Sequence, residues 1–87
     1  MSFHGMDTEQ VAALGSQMTS LAARLREIEA RYTQRLDAAP WVGADRERFV
    51  GQWNGGYAVA LRTAAEALEA AGDVAAANVR EQERISS

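Results

Sequence analysis

Cysteine and lysine are both missing from this chain, and histidine and proline occur once each among its 87 residues. Without cysteine there is no disulfide framework, no thiolate metal site and no cysteine nucleophile. His4 stands alone near the start with no neighbouring ligands, so no imidazole cluster is available for metal binding or proton transfer. The glycines at 51, 55 and 56 do not form G-x-G-x-x-G, and no Gly-Lys-Ser/Thr follows them, which excludes a phosphate loop. Ser16, Ser20, Ser86 and Ser87 have no base near them in the pattern. These gaps predict a protein that is not an enzyme and carries neither cofactor nor metal.

Long apolar runs are missing as well. The longest, Tyr57 to Leu61, has five residues, far short of the roughly 20 that cross a bilayer. Both helical faces mix Glu with Arg, so no cationic polar face exists for lying on a membrane. Direct membrane insertion is not expected. Met1 to Glu9 has no Lys or Arg and no apolar core, unlike a cleavable signal peptide. The net charge of −3 opposes a nucleic-acid footprint, which needs a basic face. All nine basic residues are arginine, which we read as the codon usage of a GC-rich genome.

What the chain does have is alanine and helical periodicity. It is 47% hydrophobic, with only six aromatic residues, and long Ala, Leu, Arg and Glu stretches favour an all-α class. Asp7 can cap a helix, with Gln10 in the place of a capping-box partner. Val11, Leu14, Met18, Leu21, Leu25, Ile28 and Tyr32 then follow in steps of three and four, and Leu36 extends the row. Gly15 and Ala22 flank this stripe and widen it to a bundle face. Pro40 disfavours helical geometry at Ala39, which predicts a first helix over about 7–38 and a bend over 40–44. A second helix over about 45–80 carries Phe49, Trp53, Tyr57, Leu61, Ala64, Leu68, Ala71, Ala75 and Val79, and 81–87 forms a flexible tail. Gly51, Gly55 and Gly56 weaken the second helix at about 1 kcal/mol each relative to alanine. They mark either a loosened turn or the close approach of another backbone.

Two helices of about 30 residues would each be roughly 45 Å long. Side by side they enclose one seam and leave apolar stripes wet. The prediction is therefore a single antiparallel helical hairpin that pairs into a four-helix-bundle dimer. Val11, Leu14, Met18, Leu21, Leu25, Ile28, Tyr57, Leu61 and Leu68 are the expected hairpin and dimer seam. Trp41 is large enough to seal the hairpin end, Gly43 permits the turn, and Phe49 and Trp53 continue that plug into the second helix.

Trp41-Val42-Gly43 at the bend, followed by Phe49 and Trp53, resembles the WXG family of small type VII (ESX-like) secretion substrates. The likeness extends over nearly the whole chain, and Asn78 to Glu83 resembles the tails of actinobacterial members. It implies a helical hairpin that forms homo- or heterodimers with itself or another WXG-family protein. It also implies export of the folded dimer, through a pathway independent of a signal peptide, by a membrane-bound secretion ATPase. The protein would be cytoplasmic before export and would act as substrate, co-substrate or adaptor. By the same resemblance, Trp41 contributes to a composite export signal with the partner's tail. Members carrying that signal commonly show Tyr-x-x-x-Asp/Glu after the second helix; here Val79 stands at the tyrosine position and Glu83 supplies the acid, a degenerate form. That departure keeps a second expectation open, an intracellular helical chaperone or interaction module for a larger secreted toxin.

Overall fold

The computed structural model describes residues 5–86 of the chain. Among these residues every regular element is helical, and two long helices pack against each other as a hairpin. Helix α1 spans Thr8–Ala38. Asp7 caps it: its Oδ1 accepts from the Gln10 N–H at 2.8 Å, while Gln10 Oε1 accepts from the Asp7 N–H at 3.0 Å. That reciprocal pair satisfies two donors that would otherwise lack partners at the helix start. At the far end Ala39 is extended, with φ −65° and ψ 136°, as the residue before a proline prefers.

The return arm is interrupted. Helix α2 covers Ala44–Gln52, a π-helical turn covers Trp53–Tyr57, and helix α3 covers Ala58–Ser86. The single helix expected over 45–80 is thus broken near its start. It also continues as helix beyond 80, through residues assigned to a tail; Ser87, like His4, lies outside the described residues.

The seam between α1 and α3 is lined by smaller residues than the stripes predict. Val11, Gly15 and Ala22 are buried from α1, and Ala58, Ala65, Gly72 and Ala75 from α3. The two backbones come close together at a pair of glycines. A Cβ added to Gly72 would lie 2.6 Å from Thr19 Oγ1 and 3.2 Å from the Gly15 carbonyl oxygen, and one added to Gly15 would lie 2.8 Å from Ala75 Cβ. Thr19 donates its hydroxyl to the Gly15 carbonyl at 3.1 Å, keeping that polar pair satisfied beside the contact.

Inward positions of the return arm run Arg46, Val50, Trp53, Ala58, Leu61, Ala65, Leu68, Gly72, Ala75 and Val79. The steps are three and four except from Trp53 to Ala58, where the step is five. The π turn supplies that step: the Ala58 N–H bonds to the Trp53 carbonyl, so the wider turn returns Ala58 to the side Trp53 faces. The predicted stripe took Tyr57 in a step of four. In the structure Tyr57 is 60% exposed and Ala58 is 1% exposed.

Candidate functional site

Two surfaces carry the residues that the sequence singles out: the tip around the bend and one long face of the hairpin. At the tip, Gly43 takes φ 118° and ψ −175°, a conformation reserved almost wholly for glycine. It sends the chain from the Pro40 turn directly into α2, whose first turn carries Asp45 and Glu47, charges that suit a helix N-terminus.

Trp41 and Phe49 meet edge to face across this turn, with ring centroids 6.1 Å apart. Both rings remain exposed, and Val42 beside them is 89% exposed. Trp53 instead turns inward. Its indole N–H donates to Thr33 Oγ1 at 2.8 Å, and its ring meets the edge of Tyr32 at 6.2 Å. Tyr57 lies 6.5 Å from Trp53 on the other side, and the Arg35 guanidinium sits 5.5 Å from the Tyr32 ring centre.

The expected plug of Trp41, Phe49 and Trp53 is therefore two separate clusters. Trp53 closes the hairpin against α1, while Trp41 and Phe49 meet edge to face on its exposed tip. The extended turn over 39–43 carries Trp41 outward, so it does not reach the α1–α3 seam. Thr33 had no signal of its own in the sequence; only its place one turn past Glu29 on the inward side of α1 could have indicated it.

The long faces differ in chemistry. At about 100° per residue, Leu14, Leu21, Ile28 and Tyr32 lie to one side of the α1 seam, and Thr19 and Arg26 lie to the other. Antiparallel packing sets Tyr57, Ala64 and Ala71 beside the first group. Across the opposite face run the ion pairs Arg26–Glu69, at 2.7 Å, and Arg62–Glu29. Its hydrogen bond to Glu69 is the main reason the Arg26 guanidinium is held above its ordinary pKa. This side also holds a shallow open groove lined by Ala12, Gly15, Ser16, Thr19, Gly72 and Asp73.

Of the predicted seam residues, Val11 is buried, and Leu14, Met18, Leu25, Ile28, Leu61 and Leu68 are half-buried. Leu21 is 45% exposed and points, with Tyr57, away from the seam. Val79 is half-buried in α3, and Glu83 lies one turn later on an exposed stretch of the same helix.

Among the described residues, no group of three or more His, Cys, Asp or Glu side chains could hold a metal ion. No helix there is long and apolar enough to cross a membrane. Fold and surfaces together define a two-helix hairpin with one ion-paired face and one apolar face. No protein-family model matches this chain, and neither the curated proteins nor the solved structures contain a match.

Proposed function

We propose that this chain is a non-catalytic component of a type VII (ESX-like) secretion system, exported as a folded dimer and serving as substrate, co-substrate or adaptor. The observation that carries the reading is the tip. A Trp-x-Gly tripeptide forms the bend of a helical hairpin, with its glycine in a conformation other residues avoid and its tryptophan left on the surface against Phe49. Trp41 leaves 39% of its surface open beside the exposed Phe49 and Val42, an apolar patch available to another protein.

The dimer rests on the apolar face. Leu14, Leu21, Ile28 and Tyr32 from α1, with Tyr57, Ala64 and Ala71 from the return arm, are the surface a second hairpin would cover. The partner is a second copy or another WXG-family protein. The machinery that moves the pair is a membrane-bound ATPase, following the resemblance at Trp41, Gly43, Phe49 and Trp53.

Export is the test. In a host with an active type VII system, the protein should accumulate outside the cell, and deletion of the ATPase should abolish this. Trp41→Ala should reduce export severalfold and more than it lowers the melting temperature, because 39% of Trp41 stays open to a partner while the rest packs within the chain. Equal loss of both would favour a purely structural role. Undiminished extracellular protein without the ATPase overturns the reading. A stable complex with a larger toxin that stays inside the cell would favour the chaperone reading, which the valine at position 79 motivates.

A further inference from the structure

We propose that α2 and the turn before it form a hinged flap, latched to α1 through Trp53 and pivoting on the π turn Trp53–Tyr57. The two ends of the return arm are held very differently. Helix α3 is fixed along α1 by four buried residues, Ala58, Ala65, Gly72 and Ala75. Gly72 sits so close to Thr19 and Gly15 that even a Cβ added to it would clash.

Helix α2 has no buried residue and no side-chain cap, and its packing on α1 is slight beside that of α3. Its inward residues Arg46 and Val50 are only half-buried, and the hydrogen bond and ring contact that hold this end to α1 are those of the Trp53 indole, with Thr33 and Tyr32. The Trp41–Phe49 ring contact joins the turn to α2, so the two move as one body.

Gly55 and Gly56 lie between these regions. A Cβ at either would meet nothing within 4 Å, and neither has positive φ. Within the hairpin, no close approach or unusual dihedral calls for glycine there. Its remaining physical contribution is backbone freedom, placed in a five-residue turn whose hydrogen bonding already departs from that of the flanking α-helices. A free joint next to a single-side-chain latch gives a segment that opens locally while the rest of the hairpin stays folded. Opening uncovers Tyr32 and Thr33 on α1 and carries Trp41 away from the hairpin end.

Residue-resolved amide exchange on the full chain tests this independently of any role in secretion. The amides of 47–57 should exchange at least tenfold faster than those of 61–79, with similar rates across the block and a step at the π turn. Thr33→Val, with helicity checked by circular dichroism, should speed the whole block severalfold, including Phe49, which lies a full turn from the latch. The double variant Gly55→Ala/Gly56→Ala should slow the same block severalfold, and 61–79 should be unaffected in both variants. Rates that decay smoothly from Ala44 and ignore Thr33→Val would mean ordinary end fraying and would overturn the flap. So would uniform protection along 47–79, or a double variant that exchanges like the parent chain.

Discussion

Gly43 and Gly72 are constrained by different physics, and substitution separates them from Gly51. At Gly43 a Cβ would meet no atom within 4 Å, so the whole penalty of Gly43→Ala comes from the backbone. Its φ of 118° lies in a region that costs about 1–3 kcal/mol for an L side chain, and urea unfolding should register that loss. At Gly72 the dihedrals are helical and the obstacle is the neighbouring helix. Gly72→Ala gains about 1 kcal/mol of helix propensity but forces a methyl against Thr19 Oγ1 at 2.6 Å and the Gly15 carbonyl at 3.2 Å. Overpacking of this kind costs about 1–3 kcal/mol. The Thr19 hydroxyl can rotate but the Gly15 backbone cannot, so the variant should be less stable. Gly51 is in a regular helix with open space around it, and Gly51→Ala should raise stability by up to about 1 kcal/mol.

Among the elements, the π turn accounts for a residue the hairpin does not need. Deleting Gly55 shortens the step from Trp53 to Ala58 from five residues to four, which an ordinary α-helix spans on one face. The shortened chain should keep the hairpin and the Trp53–Thr33 contact and should resist urea slightly better. Deleting Ala67 instead should unfold the hairpin, because every later seam residue would rotate by about 100°. Circular dichroism with tryptophan fluorescence distinguishes the two outcomes. The same turn marks where sequence patterning stops being informative. The first helix was legible because Asp7, Gln10 and Pro40 punctuate it and its apolar residues keep a three-and-four rhythm. The hairpin was legible because two such stretches flank one bend. The register of the seam was legible in part: Val11, Trp53, Leu61, Leu68, Ala75 and Val79 lie inward as expected, whereas Ala58, Ala65 and Gly72 take the places expected for Tyr57, Ala64 and Ala71, and close approach at Gly15 and Gly72 admits only small residues. With Gly15 and Ala22 inside, Leu14 and Leu21 shift outward by one position. The π turn left no trace beyond two glycines, which fit a loosened turn and a backbone contact equally well. At the tip, Gly43 was readable from its type, but the outward placement of Trp41 depended on the path of the turn.

At the scale of the whole molecule, two helices bury too little. The chain is a rod of 64 × 18 × 16 Å with 6201 Å² of accessible surface, whereas a compact monomer of 9.4 kDa has about 5,000 Å². Stability must come mainly from the seam, where the fully buried side chains are alanines and a single valine. The charged face needs no cover, since Arg26–Glu69 and Arg62–Glu29 bridge it in contact with solvent. The opposite face carries Leu21 and Tyr32 exposed and Leu14 and Ile28 only half-buried, and beside them the return arm offers small Ala64 and Ala71. Bulky residues on one arm and small ones on the other would let two antiparallel copies fit, each α1 against the other's α3. Adjacent residues separate this face from the hairpin seam. Ala22 is 0% exposed and Leu21 is 45% exposed. Ala22→Asp would bury an unpaired charge between the helices, at several kcal/mol, and should abolish the folded hairpin. Leu21→Asp places its charge in water if the chain is alone, but in an interface if a second copy covers it. Sedimentation of the parent chain at several concentrations should give a helical dimer. Leu21→Asp should shift it toward a monomer that is still helical at high concentration. A parent chain that remains a stable, folded monomer at all concentrations would mean that the apolar face belongs to a different protein. A Leu21→Asp variant that stays fully dimeric would place the interface elsewhere on the rod.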